Sequence, residues 1–158
     1  MRLRSIGTTT LALVAVLLFG PAGRAEHGHV LLNPDDIKWG DAPPMLPPGA
    51  KAAVLKGDPT GKEIFAVAAK LPANYKVPAH SHPTDEHVVV VSGTLYMGLG
   101  DKLDPDAAKP VKPGGFMVAP AKVNHFAFTK EETVIVVFAM GPFEFNYVNP
   151  DDDPRKKK

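Results

Sequence analysis

The chain has 158 residues, with 18 basic against 17 acidic side chains, six histidines and no cysteine. So even a charge balance offers no broad positive field for nucleic acid. The missing cysteines exclude disulfides, thiolate nucleophiles and cysteine-type zinc sites, and the length suits one domain.

Residues 1–25 read as a signal peptide. Met1-Arg2-Leu3-Arg4 is a basic start, Leu11 to Phe19 (LALVAVLLF) is a short apolar run, and Gly23 and Ala25 place small residues at a cleavage site. The run falls short of the roughly 20 residues that a spanning helix needs. Processing at Ala25–Glu26 therefore predicts a periplasmic or secreted protein with no stable membrane insertion. It also removes Arg2, Arg4 and Arg24, so the mature chain carries no positive excess.

Residues 26–51 read as an extended arm, because Pro43, Pro44, Pro47 and Pro48 each lack a donor and fix φ. Trp39 is expected to anchor it. His27 and His29 are assigned to a mobile, exposed start of the mature chain. From 52 to 148 the pattern is that of an all-β domain. Strand candidates are Glu63–Lys70, Tyr75–His82, Glu86–Val91, Thr94–Leu99, Phe116–Ala119, Asn124–Thr129 and Thr133–Met140, with Gly, Pro, Asn and Asp between them. Phe143 to Tyr147 alternates aromatic and polar residues, as a half-buried edge strand does. Residues 149–158 are expected to be a solvated, frayed polar tail.

The chemistry concentrates in His80-Ser81-His82-Pro83-Thr84-Asp85-Glu86-His87, directly before a run of four valines. On a strand, positions i and i+2 share a face, so His80 and His82 project together. Pro83 to Asp85 can turn the chain. If the next strand pairs antiparallel with the first, Glu86 faces inward beside the imidazoles, and His87 has the opposite parity. Imidazole nitrogens and a carboxylate suit a borderline divalent metal. His125 is the remaining histidine in the body of the chain, delivered by a glycine turn, a short strand and a proline-led loop.

The spacing His80-x-His82-x3-Glu86-x6-Gly93 resembles the first motif of the cupin superfamily, and Gly114-x5-Pro120-x4-His125 resembles the second. The second motif departs from the family at Lys122, where glycine is usual, and at Thr129, where asparagine is usual. The resemblance implies a double-stranded β-helix, or jelly-roll barrel, in which His80, His82, Glu86 and His125 hold one divalent ion (Mn, Fe, Zn, Ni or Cu). It covers roughly residues 63 to 140. Cupins often form dimers, so a homodimer belongs to the expectation.

Other nucleophile and ion-binding patterns are absent. Gly57 to Glu63 is one residue short of a phosphate loop and lacks its hydroxyl. Asp101, Asp104 and Asp106 lack calcium-loop spacing, and there is no Gly-x-Ser-x-Gly elbow. The expected cavity wall is apolar, with Val88, Val90 and Ala127 sharing parity with the ligands and Phe65, Met97, Phe116, Val118 and Phe138 elsewhere. Tyr96, Lys122 and Thr129 are the nearest polar candidates for substrate contact; no general acid or base stands out. Such a wall favours a small organic ligand over a sugar nucleotide. The sequence supports a metal-dependent enzyme, such as a dioxygenase of small organic compounds, or a non-catalytic metal-dependent binding or sensing module. An isomerase fits less well, for want of acid/base groups.

Overall fold

The computed structural model describes residues 28–156; the signal-peptide segment and His27 lie outside them. The strands, in chain order, are β1 (Gly40–Asp41), β2 (Lys51–Lys56), β3 (Ile64–Leu71), β4 (Lys76–Ser81), β5 (Glu86–Ser92), β6 (Leu95–Leu99), β7 (Lys109–Val111), β8 (Phe116–Ala119), β9 (His125–Thr129), β10 (Thr133–Met140) and β11 (Asn146–Tyr147). They form a six-stranded sheet, ordered β1-β2-β3-β10-β5-β8, and a five-stranded sheet, ordered β11-β4-β9-β6-β7. Among the described residues no helix is long and apolar enough to cross a membrane.

The alternation of side chains builds the core. β10 reads Thr-Val-Ile-Val-Val-Phe-Ala-Met, and its burial alternates from end to end. Ile135 and Val137 face inward with Val88 and Val90 of β5, and from the other sheet they meet Val77, Leu95 and Ala127. β9, which lies between β4 and β6, is buried throughout. Gly93 turns β5 into β6 with φ of 71°, a conformation that favours glycine.

Three strands have weak sequence signals. β2 carries lysine at both ends, and β1 is two residues long. β7 contains Pro110, which is tolerated because β7 is the outer strand of its sheet. The proline-rich segment forms a hairpin loop between β1 and β2, with Gly40 opposite Ala52. Trp39 meets the Lys70 ammonium at 4.7 Å from its ring centroid. The Phe143–Tyr147 segment supplies β11, which pairs with β4 at the sheet edge.

Two expectations need correction. β4 and β5 do not pair; the Pro83–Asp85 turn carries the chain from one sheet to the other, where β5 pairs with β10 and β8. Glu86 faces the histidines across the core instead of beside them in a hairpin. The described part of the C-terminal segment is docked, not frayed. Asp153 is buried and paired with Arg155 at 2.8 Å, and Arg155 donates to the Phe145 carbonyl at 3.0 Å.

Candidate metal centre

A local irregularity aims the first ligands. β4 and β9 pair Val77 with Ala127 and His80 with His125, so β4 gains one residue between those rungs. Val77 and His80 would have opposite parity in a regular strand, yet both line the interior. The bulge resets the face, and Pro78, which has no N–H to leave unpaired, lies within it. His82 then follows His80 at the spacing of two.

Backbone carbonyls orient all three rings. His80 Nδ1 meets the Pro78 oxygen at 2.7 Å, His82 Nδ1 the Glu144 oxygen at 2.7 Å, and His125 Nδ1 the Val123 oxygen at 3.0 Å. A carbonyl oxygen only accepts, so each Nδ1 donates, and a ring in its neutral form then carries its lone pair on Nε2. One nitrogen from each ring lies within 4.8 Å of the others. Glu86 Oε2 lies 3.4 Å from His125 Nε2 and 3.6 Å from His82 Nε2. Those approaches are longer than good hydrogen bonds, and neither Nε2 has a hydrogen-bond partner although both are buried. Unpartnered acceptors in an apolar interior are costly. A cation between them would satisfy both, and the three-nitrogen, one-carboxylate donor set suits a first-row divalent ion.

Burial favours the neutral form of His80 and of His82. Burial, reinforced by the neighbouring imidazoles of His125 and His82, pushes His80 down to about 3. Burial also lowers His82, against the opposing pull of Glu86. Burial alone would raise the Glu86 carboxyl, but the facing histidines outweigh it and the net shift is downward.

Two aromatic residues complete the setting. Phe143 stacks on His82 with centroids 4.2 Å apart, and Phe145 stacks on His80 at 4.7 Å. Their alternation was legible as an edge strand, but nothing local in the sequence links them to the imidazoles. Behind the centre lies a cavity of about 130 Å³, walled by Val67, Leu71, Val88, Met97, Ile135 and Val137 among others.

The sequence-predicted contacts divide sharply. His80, His82, Glu86 and His125 converge. His87 lies on the opposite face, with its ring 6.0 Å from that of Phe116. Phe65, Met97, Val88 and Ala127 line the cavity as expected. Phe116, Val118 and Phe138 do not; they are exposed, because Met117 is the residue opposite Val88 and Phe138 is opposite His87. None of the three polar candidates lines the cavity. Tyr96 stacks on Phe128 with its ring under Lys130. Lys122 is exposed and has φ of 63°. Thr129 is buried, but its hydroxyl is committed to the Pro72 carbonyl at 2.6 Å and the Tyr75 amide at 3.1 Å.

Two facing antiparallel sheets with this inward histidine cluster have the cupin fold. Solved structures share the architecture. A candidate acetylacetone dioxygenase from Methylibium petroleiphilum is 16% identical, with a TM-score of 0.62 over 83% of this chain and 88% of its own. The polyketide cyclase RemF from Streptomyces resistomycificus is 19% identical, with a TM-score of 0.61 over 80% of this chain and 90% of its own. An RmlC-like cupin from Shewanella frigidimarina is 16% identical, with a TM-score of 0.56 over 73% of this chain and 94% of its own. At such identities the likeness concerns the fold alone. Residues 20–146 match a domain of unknown function, DUF4437, and the chain belongs to that family. No curated protein matches it.

Proposed function

We propose that this cupin is exported, binds one divalent metal through His80, His82, Glu86 and His125, and acts there on a small organic molecule, as an oxygenase does. One observation carries the reading: buried imidazoles, each tied through Nδ1, turn their free nitrogens toward one another and toward a buried carboxylate, and two of those nitrogens have no partner. A divalent ion held by this set would supply Lewis-acid or oxygen-binding chemistry. The chain's own contribution is to exclude water with an apolar wall, to hold the rings rigid between carbonyls and phenylalanines, and to place one negative charge beside three neutral ligands.

The alternative is a binding or sensing module that uses the same metal without turnover. It is favoured by one feature: His80, Glu86 and His125 are the titratable groups lining the cavity, and all three belong to the ligand set, leaving no separate acid or base. The discriminating experiment loads the protein with Fe²⁺, Mn²⁺, Zn²⁺, Ni²⁺ or Cu²⁺ and offers diketones, catechols, flavonols and oxalate. Oxygen uptake or product formation that follows the metal and is lost in Glu86→Gln supports the enzyme. Saturable binding without turnover under every metal favours the module.

Export would be tested by mass spectrometry of secreted protein, which should begin at Glu26. For a homodimer we propose the outer face of the six-stranded sheet, where Ile64, Phe116, Val118, Phe138 and Met140 are exposed. Sedimentation of wild type and Phe116→Glu should then show a dimer and a monomer.

A further inference from the structure

The hairpin loop between β1 and β2 closes one flank of the cavity with Met45 and Leu46. Two phenols hold its backbone. Tyr147 donates to the Met45 carbonyl at 2.6 Å, and Tyr75 donates to the Pro47 carbonyl. Both tyrosines are placed by the sheets: Tyr75 packs in the core, and Tyr147 sits opposite His80 in the β11–β4 ladder with its ring 5.8 Å from the imidazole. Four prolines, at 43, 44, 47 and 48, restrict the loop further. The flank is therefore a stiff wall tied to the strand that carries His80.

The composition of the whole wall is one-sided. Apart from His80, Glu86 and His125, every lining side chain is apolar. A ligand in this cavity has hydrogen-bonding or coordinating partners at one end alone. A hydroxyl placed elsewhere would lose its water without gaining a partner, which weakens binding about five- to hundredfold. The cavity, at about 130 Å³, is close in size to dry apolar cavities of about 150 Å³ that admit a benzene ring.

Resting on the metal-centre reading above, we propose that the site selects compact ligands with a metal-coordinating polar group at one end and an otherwise apolar body of about six carbons. Met45 and Leu46 bound that body on one flank, and Tyr147 and Tyr75 are positioning residues that hold them. Polyols, sugars and molecules charged at both ends are excluded by the same wall.

The test uses the zinc-loaded mature protein and straight-chain alkylhydroxamic acids of two to ten carbons as probes, with benzohydroxamic acid and a tail-hydroxylated hexyl analogue. Binding is read by calorimetry, and zinc content is measured for every variant. Affinity should rise about fourfold per methylene up to about six carbons, then stop rising. The hydroxylated analogue should bind at least about fivefold more weakly than its parent. Met45→Ala and Leu46→Ala should move the optimum to longer tails, and Tyr147→Phe should blunt the length cut-off, all with zinc retained. Met45→Trp should lose the hexyl probe and keep acetohydroxamic acid. If Met45→Trp does not fold, the alanine variants and the wild-type series decide. Zinc-loaded protein whose affinity ignores tail length, or whose optimum stays fixed in both alanine variants, overturns the proposal and leaves the metal centre standing. Failure of the wild type to take up zinc or any of the other four divalent ions overturns the metal centre itself, and the proposal with it.

Discussion

The metal-free protein should be acid-labile in a defined window, and His80 sets most of it. Burial and the adjacent imidazoles depress its pKa to about 3 in the fold, against an ordinary value near 6.5 in the unfolded chain. As pH falls through 6.5 the unfolded state takes up the proton and the folded state does not, so stability is complete above that value and lost below it. The loss continues until the folded pKa is reached, at up to about 1.4 kcal/mol per pH unit, or about 5 kcal/mol in all. His82 is shifted in the same direction and adds to the slope. Glu86, also depressed, adds a further loss at lower pH. Set against a typical total of about 5–15 kcal/mol, the roughly 3.5 kcal/mol lost through His80 by pH 4 is a large fraction of the stability of the apo form. The assay is urea unfolding of chelator-treated protein at pH 7, 6, 5 and 4, followed by the fluorescence of Trp39. The wild type should lose stability steadily, and His80→Leu should flatten the profile. An apo protein equally stable at pH 7 and pH 4, or a His80→Leu profile as steep as wild type, would refute the picture of buried neutral rings.

Other outcomes follow from the same geometry. His80→Ala, His82→Ala and His125→Ala should each abolish stoichiometric metal, while His87→Ala keeps it, as elemental analysis would show; loss in the His87 variant alone would mean the register is wrong by one residue. Gly98→Ala should destabilise the fold by about 1–3 kcal/mol in denaturant titrations, because an added Cβ would clash with the ring of Phe126, which is fully buried and cannot swing out. Thr129→Val should cost about 2–4 kcal/mol by leaving the Pro72 carbonyl and Tyr75 amide unpartnered, yet leave metal content unchanged; loss of ligand affinity at normal stability would restore Thr129 as a contact residue.

What could be read from the sequence was what depends on near neighbours. His80 and His82 share a face because strands repeat every two residues, and the turn at Pro83 carries Glu86 inward whichever strand it later pairs with. The bulge that turns His80 to the same side as Val77 left no mark except Pro78, and the motif spacing had absorbed it. The wall was harder, because parity within a strand does not say where that parity begins. β8 presents Met117 to the interior and β10 presents Phe138 to solvent; each depends on a cross-strand rung that the sequence does not record. Tyr96 and Thr129 read in the sequence as polar residues near a ligand, yet one is stacked outside and the other joins backbone groups of a turn.

The same reasoning explains why the arm and the Phe143–Tyr147 segment were underrated. Each looked like a surface feature, one for its prolines and the other for its alternation. Across some hundred residues of chain, a single Tyr147–Met45 hydrogen bond joins them over the centre. Phe145 is stacked on His80 and is itself held by Arg155 from a tail expected to fray. The ligands are thus set by local strand geometry, whereas the shape of the space they face is set by the two ends of the domain closing on each other. Changes in the terminal segments should therefore alter what the site admits before they alter whether it holds metal. For that reason the metal content and the ligand preference of variants must be measured separately.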